Sequence, residues 1–80
     1  MGAYHTEKEM EILVFKTNVN SKRKAGKAGL LLTSVPAIEQ WNFDLDDCDK
    51  VLRIVGKGLR PGYVESILQK AGFYCTELNY

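Results

Sequence analysis

Residues 39–56 read EQWNFDLDDCDKVLRIVG and contain two predicted strands joined by a polar turn. In residues 39–46 apolar and polar side chains alternate, which is the period of a strand with one buried face. The turn is residues 46–50, DDCDK, and residues 51–56, VLRIVG, are rich in branched side chains. This stretch therefore predicts a β-hairpin. The inward side chains are Trp41, Phe43, Leu45, Leu52 and Ile54, and the outward ones on the second strand are Val51, Arg53 and Val55.

A strand and a helix are predicted before the hairpin. Residues 11–17, EILVFKT, are apolar on both faces of a strand, which is typical of a central strand. From Ser21 to about Ser34 the apolar spacing becomes helical, and Pro36 ends the helix. Ser21 is a suitable N-cap. The apolar stripe of this helix is Ala25, Ala28, Leu31, Leu32 and Val35.

A second helix and a last strand are predicted after the hairpin. Residues 56–62, GKGLRPG, break the chain, and Pro61 suits the first position of a helix. That helix ends at Gly72, and residues 73–78, FYCTEL, form a short strand. Its apolar stripe is Val64, Ile67, Leu68 and Ala71. The order β-α-β-β-α-β with right-handed crossovers predicts an α+β, ferredoxin-like fold: a four-stranded antiparallel sheet, order 4-1-3-2, with both helices on one face.

Length and composition predict one small domain, residues 11–80, after a flexible N-terminal tail, residues 1–10. The chain has 80 residues and a net charge of +1, which gives no general attraction to nucleic acid or to an anionic membrane. Its two cysteines are too few for a disulfide scaffold, and no apolar run is long enough to span a membrane. These features predict a reduced, cytoplasmic setting.

Two segments of the sequence resemble a known family. Residues 34–45, SVPAIEQWNFDL, and residues 64–78, VESILQKAGFYCTEL, resemble the heavy-metal-associated (HMA) domain of copper chaperones and metal-transporting ATPases. The resemblance covers about residues 11–78 and implies the same ferredoxin-like fold. It also implies a Met-x-Cys-x-x-Cys loop between the first strand and the first helix, where two thiolates bind a soft cation such as Cu(I).

The metal-binding residues of that loop are absent from this sequence. Counting back from Pro36 places Val19 at the methionine, Ser21 at the first cysteine and Lys24 at the second. A serine hydroxyl is a poor ligand for a soft metal, and an ammonium group repels cations. The sequence therefore predicts a degenerate member of the family that carries no metal cofactor.

Ser21, Lys22, Arg23 and Lys24 form a candidate site for an anion or an acidic partner. Free N–H groups at a helix start attract anions, and three cations would reinforce that attraction. The resemblance supports this hypothesis, because cations near the metal loop of metallochaperones commonly steer docking to acidic partners. The alternative is a solvated turn, since cations at a helix start cost at most about 1 kcal/mol each.

The cysteines and a group of aspartates offer a second candidate site. Cys48 is predicted at the same end of the sheet as the start of the first helix, whereas Cys75 is predicted to be a small core residue. The predicted second and fourth strands, which lie next to these cysteines, form opposite edges of the sheet. At ~4.8 Å per strand they are ~14 Å apart, which is too far for a disulfide. One alternative is a copper or zinc site that uses Cys48 with ligands from a second chain. The remaining candidates, Asp44, Asp46, Asp47 and Asp49, lack the glycine and glutamate of a calcium loop and are predicted to be solvated.

The sheet face that the helices leave open is a candidate interface. Its predicted residues are Ile12, Val14, Val51, Arg53 and Val55. Exposed apolar patches often mark interaction surfaces, but long side chains such as Lys16 and Arg53 could instead cover this one. The face lacks the stacking aromatics of an RNA-binding sheet. No nucleophile–base pair or phosphate loop is recognisable, so the sequence predicts a non-enzymatic protein-interaction module, with metal-ion binding through Cys48 as the alternative.

Overall fold

A computed structural model describes residues 10–78, which form two helices and four strands. The elements are β1 Met10–Thr17, α1 Lys22–Thr33, β2 Ile38–Asp44, β3 Val51–Lys57, α2 Pro61–Lys70 and β4 Cys75–Glu77. The sheet is antiparallel with the order β2-β3-β1-β4, which is the predicted order counted from the other edge. The predicted ferredoxin-like fold is therefore confirmed. Met10, the last residue of the predicted tail (residues 1–10), already belongs to β1, and residues 1–9 lie outside the described residues.

The two central strands carry the largest side chains of the core. β1 pairs with both β3 and β4, as its two apolar faces predict, and Phe15 lies opposite Leu52 in the register. Phe15, Leu52 and Ile54 are fully buried between the sheet and the helices. The helices contribute four more fully buried side chains, Ala28, Leu32, Val64 and Leu68. Burial of this single apolar layer is what holds the two helices on one face of the sheet.

Both helices begin and end where the sequence predicts. The Ser21 side chain accepts a hydrogen bond from the Lys24 N–H at 3.2 Å, which caps α1. Pro61 is the first residue of α2, and Gly72 follows its end with a φ of 93°, a backbone conformation that glycine adopts without strain. There the Phe73 N–H donates to the Leu68 carbonyl at 2.9 Å, which completes a Schellman motif.

β2 and β4 are shorter than predicted. At the end of β2 and at the start of β4, the backbone N–H groups bond to side chains or to the helix cap instead of to a neighbouring strand. β2 stops at Asp44, whose carboxylate accepts a hydrogen bond from the Asp46 N–H and begins the turn. β4 begins at Cys75 rather than at residue 73. Phe73 belongs to the cap of α2, and the Tyr74 N–H donates to the Asn18 side chain.

The prediction that Val51 is an exposed residue of the open face is wrong. Val51 is only 7% exposed, whereas Ile12 on the same face is 66% exposed. Lys16 follows the Phe15–Leu52 pair on β1 and its Nζ lies 3.7 Å from Asp49 Oδ1, so its aliphatic stem runs beside Val51. Of the predicted residues of the open face, Ile12 and Arg53 are therefore exposed, whereas Val14 and Val55 are half-buried.

Helix α1 packs closely against β2 at one glycine, and this contact gives a stability prediction. Trp41 lies against Gly29 and donates its indole N–H to Thr33. A Cβ at Gly29 would overlap the Trp41 ring, so we expect Gly29→Ala to lower the free energy of unfolding by about 1–3 kcal/mol in urea titrations. Gly26 lies on the exposed side of the same helix, where a Cβ would have open space around it, and is the matched control.

For Gly26→Ala we expect the opposite sign, a gain of roughly 0.5–1 kcal/mol, because alanine restricts the unfolded chain and favours helix. Equal effects of the two substitutions would contradict the close packing of Trp41 on α1.

Candidate functional site

Three loops meet at one end of the sheet. They are the β1–α1 loop at residues 18–21, the β2–β3 turn at 45–50 and the α2–β4 turn at 71–74. The Thr17 N–H donates to the Asp49 carbonyl at 3.1 Å, and the Tyr74 N–H donates to Asn18 Oδ1 at 2.9 Å. The structure thus brings together the start of α1 and the turn that contains Cys48, as the topology predicts.

Thr17 fixes the position of the β1–α1 loop. It is 4% exposed, and its hydroxyl donates to the Lys50 carbonyl at 2.6 Å while accepting the Val19 N–H at 3.1 Å. The Val19 side chain is fully buried under the loop. The Thr17 hydroxyl thus satisfies two backbone groups, and the buried Val19 side chain fixes the chain that follows. Together these contacts hold Ser21 at the start of α1.

The start of α1 forms one wall of a groove that we call the basic groove. Its lining residues are Ser21, Arg23, Lys24, Lys27, Ala71 and Phe73, and its volume is about 520 Å³. The first turn of α1 contains no acidic residue, and the side chains of Lys22, Arg23, Lys24 and Lys27 are exposed. Within residues 10–78 these four cations form no salt bridge. The groove therefore combines concentrated positive charge with an apolar floor, which suits an acidic ligand that also buries some apolar surface.

Half of the basic groove was not predicted from the sequence. Lys27 lies one turn after Arg23 on the same side of the helix, so the helical spacing could have identified it. Ala71 and Phe73 follow the end of α2, at least 44 residues after Lys27 in the sequence. Only the packing of the two helices brings them beside Arg23.

The two cysteines have different environments. Cys75 is fully buried, as predicted, and burial, with a smaller contribution from nearby Glu65, raises the pKa of its thiol to about 12. Cys75 is therefore protonated at neutral pH and cannot supply a thiolate ligand without local unfolding. Cys48 is exposed, and both cysteines are free. Cys48 lies in the turn that follows the edge strand β2, whereas Cys75 lies on β4, the opposite edge of the sheet.

The turn that contains Cys48 has a concentration of negative charge that we call the acidic hairpin, namely Asp44, Asp46, Asp47 and Asp49. The side-chain ligand atoms of Asp47, Cys48 and Asp49 all lie within 4.8 Å of one another. Both carboxylates have other partners: Asp47 Oδ1 accepts the Asp49 N–H at 2.7 Å, and Asp49 pairs with Lys16. Three mixed ligands do not complete a tetrahedral site, so a bound metal would need a donor from elsewhere.

The open sheet face is separate from this end of the domain. A shallow pocket of about 310 Å³ is lined there by Gln40, Trp41, Asn42, Arg53 and Val55. Asn42 and Val14 lie on either side of Arg53 in the sheet register. Arg53 is therefore a cation in the middle of this face, between a polar and an aliphatic side chain, and Lys16, two residues after Val14 on β1, is a second cation on the same face.

Comparison with solved structures finds several domains that share this fold at low sequence identity. The N-terminal domain of ZntA in its Zn(II) form matches 82% of this chain and 89% of its own length, with 19% identity and a TM-score of 0.72. Oxidized MerP from Ralstonia metallidurans CH34 matches 88% and 99%, with 4% identity and a TM-score of 0.76. The apo HMA domain of the copper chaperone for superoxide dismutase matches 88% and 68%, with 15% identity and a TM-score of 0.69. The chain therefore has an HMA-like fold.

Sequence comparison adds no closer relative. No protein-family model matches the chain. No curated protein matches it either. Among residues 10–78, neither helix is long and apolar enough to cross a membrane.

Proposed function

We propose that this chain is a small non-enzymatic HMA-like domain that has lost the family's metal ligands and acts as a protein-interaction module through its basic groove. The observation that carries the proposal is the chemistry at the start of α1. Ser21 is the N-cap and Lys24 lies in the first turn, at the positions where the resemblance expects two cysteines. Neither can bind a soft cation, and Val19, at the methionine position, is buried in the core.

The positive charge at the start of α1 favours the binding of a protein partner over the binding of a metal ion. Four exposed cations beside free helix N–H groups repel a metal cation but attract carboxylates. The apolar floor formed by Ala71 and Phe73 would add buried area to such a contact. The proposed partner is an acidic protein surface. A location in the cytoplasm, without a nucleic-acid or membrane partner, remains part of this proposal.

An enzymatic role has no support among the described residues. In residues 10–78 no hydroxyl or thiol is hydrogen-bonded to a carboxylate or an amine base. The hydroxyls of Thr17, Ser21 and Ser34 bond to backbone atoms instead. The single histidine, His5, lies outside the described residues. Without a nucleophile beside a base, acid–base or covalent catalysis has no starting arrangement.

Two other surfaces remain candidates for contacts. The open sheet face, with Ile12 66% exposed beside Val14 and Val55, is a candidate surface for self-association. The Asp47–Cys48–Asp49 cluster favours a second function, the binding of a copper or zinc ion with ligands from a second chain. Of the two thiols, Cys48 would be the one available to such a site, because the Cys75 thiol is buried.

Metal titration separates the proposed function from this alternative. Under reducing conditions we expect the wild-type chain to show no stoichiometric binding of Cu(I) or Zn(II) in competition with a chelator. Cys48→Ser is the matched variant, because it removes the exposed thiol and leaves both carboxylates in place. Tight binding of one ion per chain or per pair of chains that is lost in Cys48→Ser would overturn the proposal and support the alternative.

A further inference from the structure

We infer that the partner of the basic groove is the acidic hairpin of a second copy of this chain, so that two copies associate as a symmetric pair. The inference rests on the proposed interaction role of the groove and specifies its partner. Its starting point is the segregation of charge. The chain has 11 basic and 10 acidic residues, yet four exposed cations lie on α1 and four aspartates lie at the end of β2 and in the turn that follows it.

The two charged surfaces lie at the same end of the domain. The Thr17 N–H and the Thr17 hydroxyl bond to the carbonyls of Asp49 and Lys50, which join the acidic hairpin to the loop that leads into α1. Two copies that meet at this end can therefore place each hairpin against the other copy's groove. In such a two-fold contact each copy uses both its groove and its hairpin. Neither surface is left free, so the assembly stops at two copies.

Charge complementarity favours a second copy over an extended polyanion. Nucleic acid or an anionic membrane that approached the cations would also meet Asp44, Asp46 and Asp47, which within residues 10–78 form no salt bridge. A second copy instead supplies anions to the groove and cations to the hairpin. Opposite surface potentials at an interface steer association and suppress partners of the wrong sign.

The hairpin tip also has the shape and composition that the groove requires. Asp46 and Cys48 are exposed at the tip, whereas Lys50 is turned inward and donates its ammonium group to the Leu45 carbonyl at 2.7 Å. The tip therefore exposes the Asp46 carboxylate, which within residues 10–78 forms no salt bridge. The groove offers about 520 Å³ bordered by Arg23, Lys24 and Lys27.

Charge reversal and charge exchange test the inference. We expect sedimentation equilibrium of the full chain under reducing conditions to show a dimer whose dissociation constant rises at least about tenfold between roughly 20 mM and roughly 500 mM NaCl, because salt screens exposed charges. Two variants should be monomeric: Arg23→Glu/Lys24→Glu, and Asp46→Lys/Asp47→Lys. An equimolar mixture of the two should regain the dimer, since each then presents the charge that the other lacks.

The matched control reverses two exposed cations at the opposite end of the sheet. Lys57→Glu/Arg60→Glu changes the net charge as much as the groove variant does and should leave the dimer intact. A wild-type chain that is monomeric at low salt would overturn the inference, and so would the absence of a dimer in the mixture. A dimer that survives both reversals but is lost in Ile12→Lys would overturn it in favour of the open sheet face. None of these outcomes depends on metal binding. Detection of a tightly bound metal ion would overturn the proposed function, not the inference about the dimer.

Discussion

Replacing Ser21 and Lys24 by cysteine is expected to create a site that binds one Cu(I) ion at the start of α1. The Ser21 side chain already lies against the backbone of residue 24, with its hydroxyl 3.2 Å from the Lys24 nitrogen. Side chains at these two positions meet at the start of a helix. The helix N-terminus and the neighbouring Lys22 and Arg23 would lower the pKa of both thiols and favour the thiolates that bind a soft cation.

The measurement is a competition titration with a coloured Cu(I) chelator under reducing conditions. Both the double-cysteine variant and its control are best made in a Cys48→Ser background, so that no other exposed thiol competes. The control, Ser21→Cys/Lys24→Ser, also removes the lysine charge but supplies one thiol only, and we expect it to lose to the chelator. If the double-cysteine variant folds and still takes no Cu(I), residues 21 and 24 do not occupy the positions of the family's ligands.

Removing the hydroxyl of Thr17 is expected to cause a large loss of stability for a chain of this size. Thr17→Val keeps the side-chain volume but leaves the Lys50 carbonyl and the Val19 N–H without their partner. Each unsatisfied group costs about 1–3 kcal/mol, so the loss of both partners should lower the free energy of unfolding by about 2–6 kcal/mol. A domain of this length has only roughly 4–12 kcal/mol in total.

Urea denaturation followed by far-UV circular dichroism measures this loss. Thr17→Ser is the control, since it retains the hydroxyl and loses one methyl group, and it should cost about 1 kcal/mol or less. A midpoint for Thr17→Val equal to that of Thr17→Ser would show that the hydroxyl does not hold the loop. The structural account of how Ser21 and the acidic hairpin are positioned would then be wrong.

The architecture could be predicted because local signals agree along most of the chain. Alternation in β2, helical spacing in both helices, and stop signals at Pro36 and Gly72 each indicate one element and its end. Handedness of the crossovers then leaves one arrangement of the strands. These steps need no knowledge of tertiary contacts. The spacing of apolar residues within each helix or strand already identifies the face that it buries.

Residues outside regular elements could not be placed in the same way. Val19 and Leu59 are core residues, 0% and 6% exposed, but they lie in loops where no period indicates an inward side. The burial of Val51 depends on the neighbouring strand, because Lys16 extends toward Asp49. Phe73 joins the basic groove only through the packing of α2 against α1. Each of these features depends on contacts between distant parts of the sequence.

The central claim is that an HMA-like scaffold has lost its soft-metal site and retains its surfaces for protein contacts. Its most direct test is the metal content of the wild-type protein purified without chelators from cells grown with added copper and zinc. The account predicts well below one equivalent of either metal per chain. One equivalent of copper or zinc that persists in Cys48→Ser and is located at residues 19–24 by a crystal structure would contradict it.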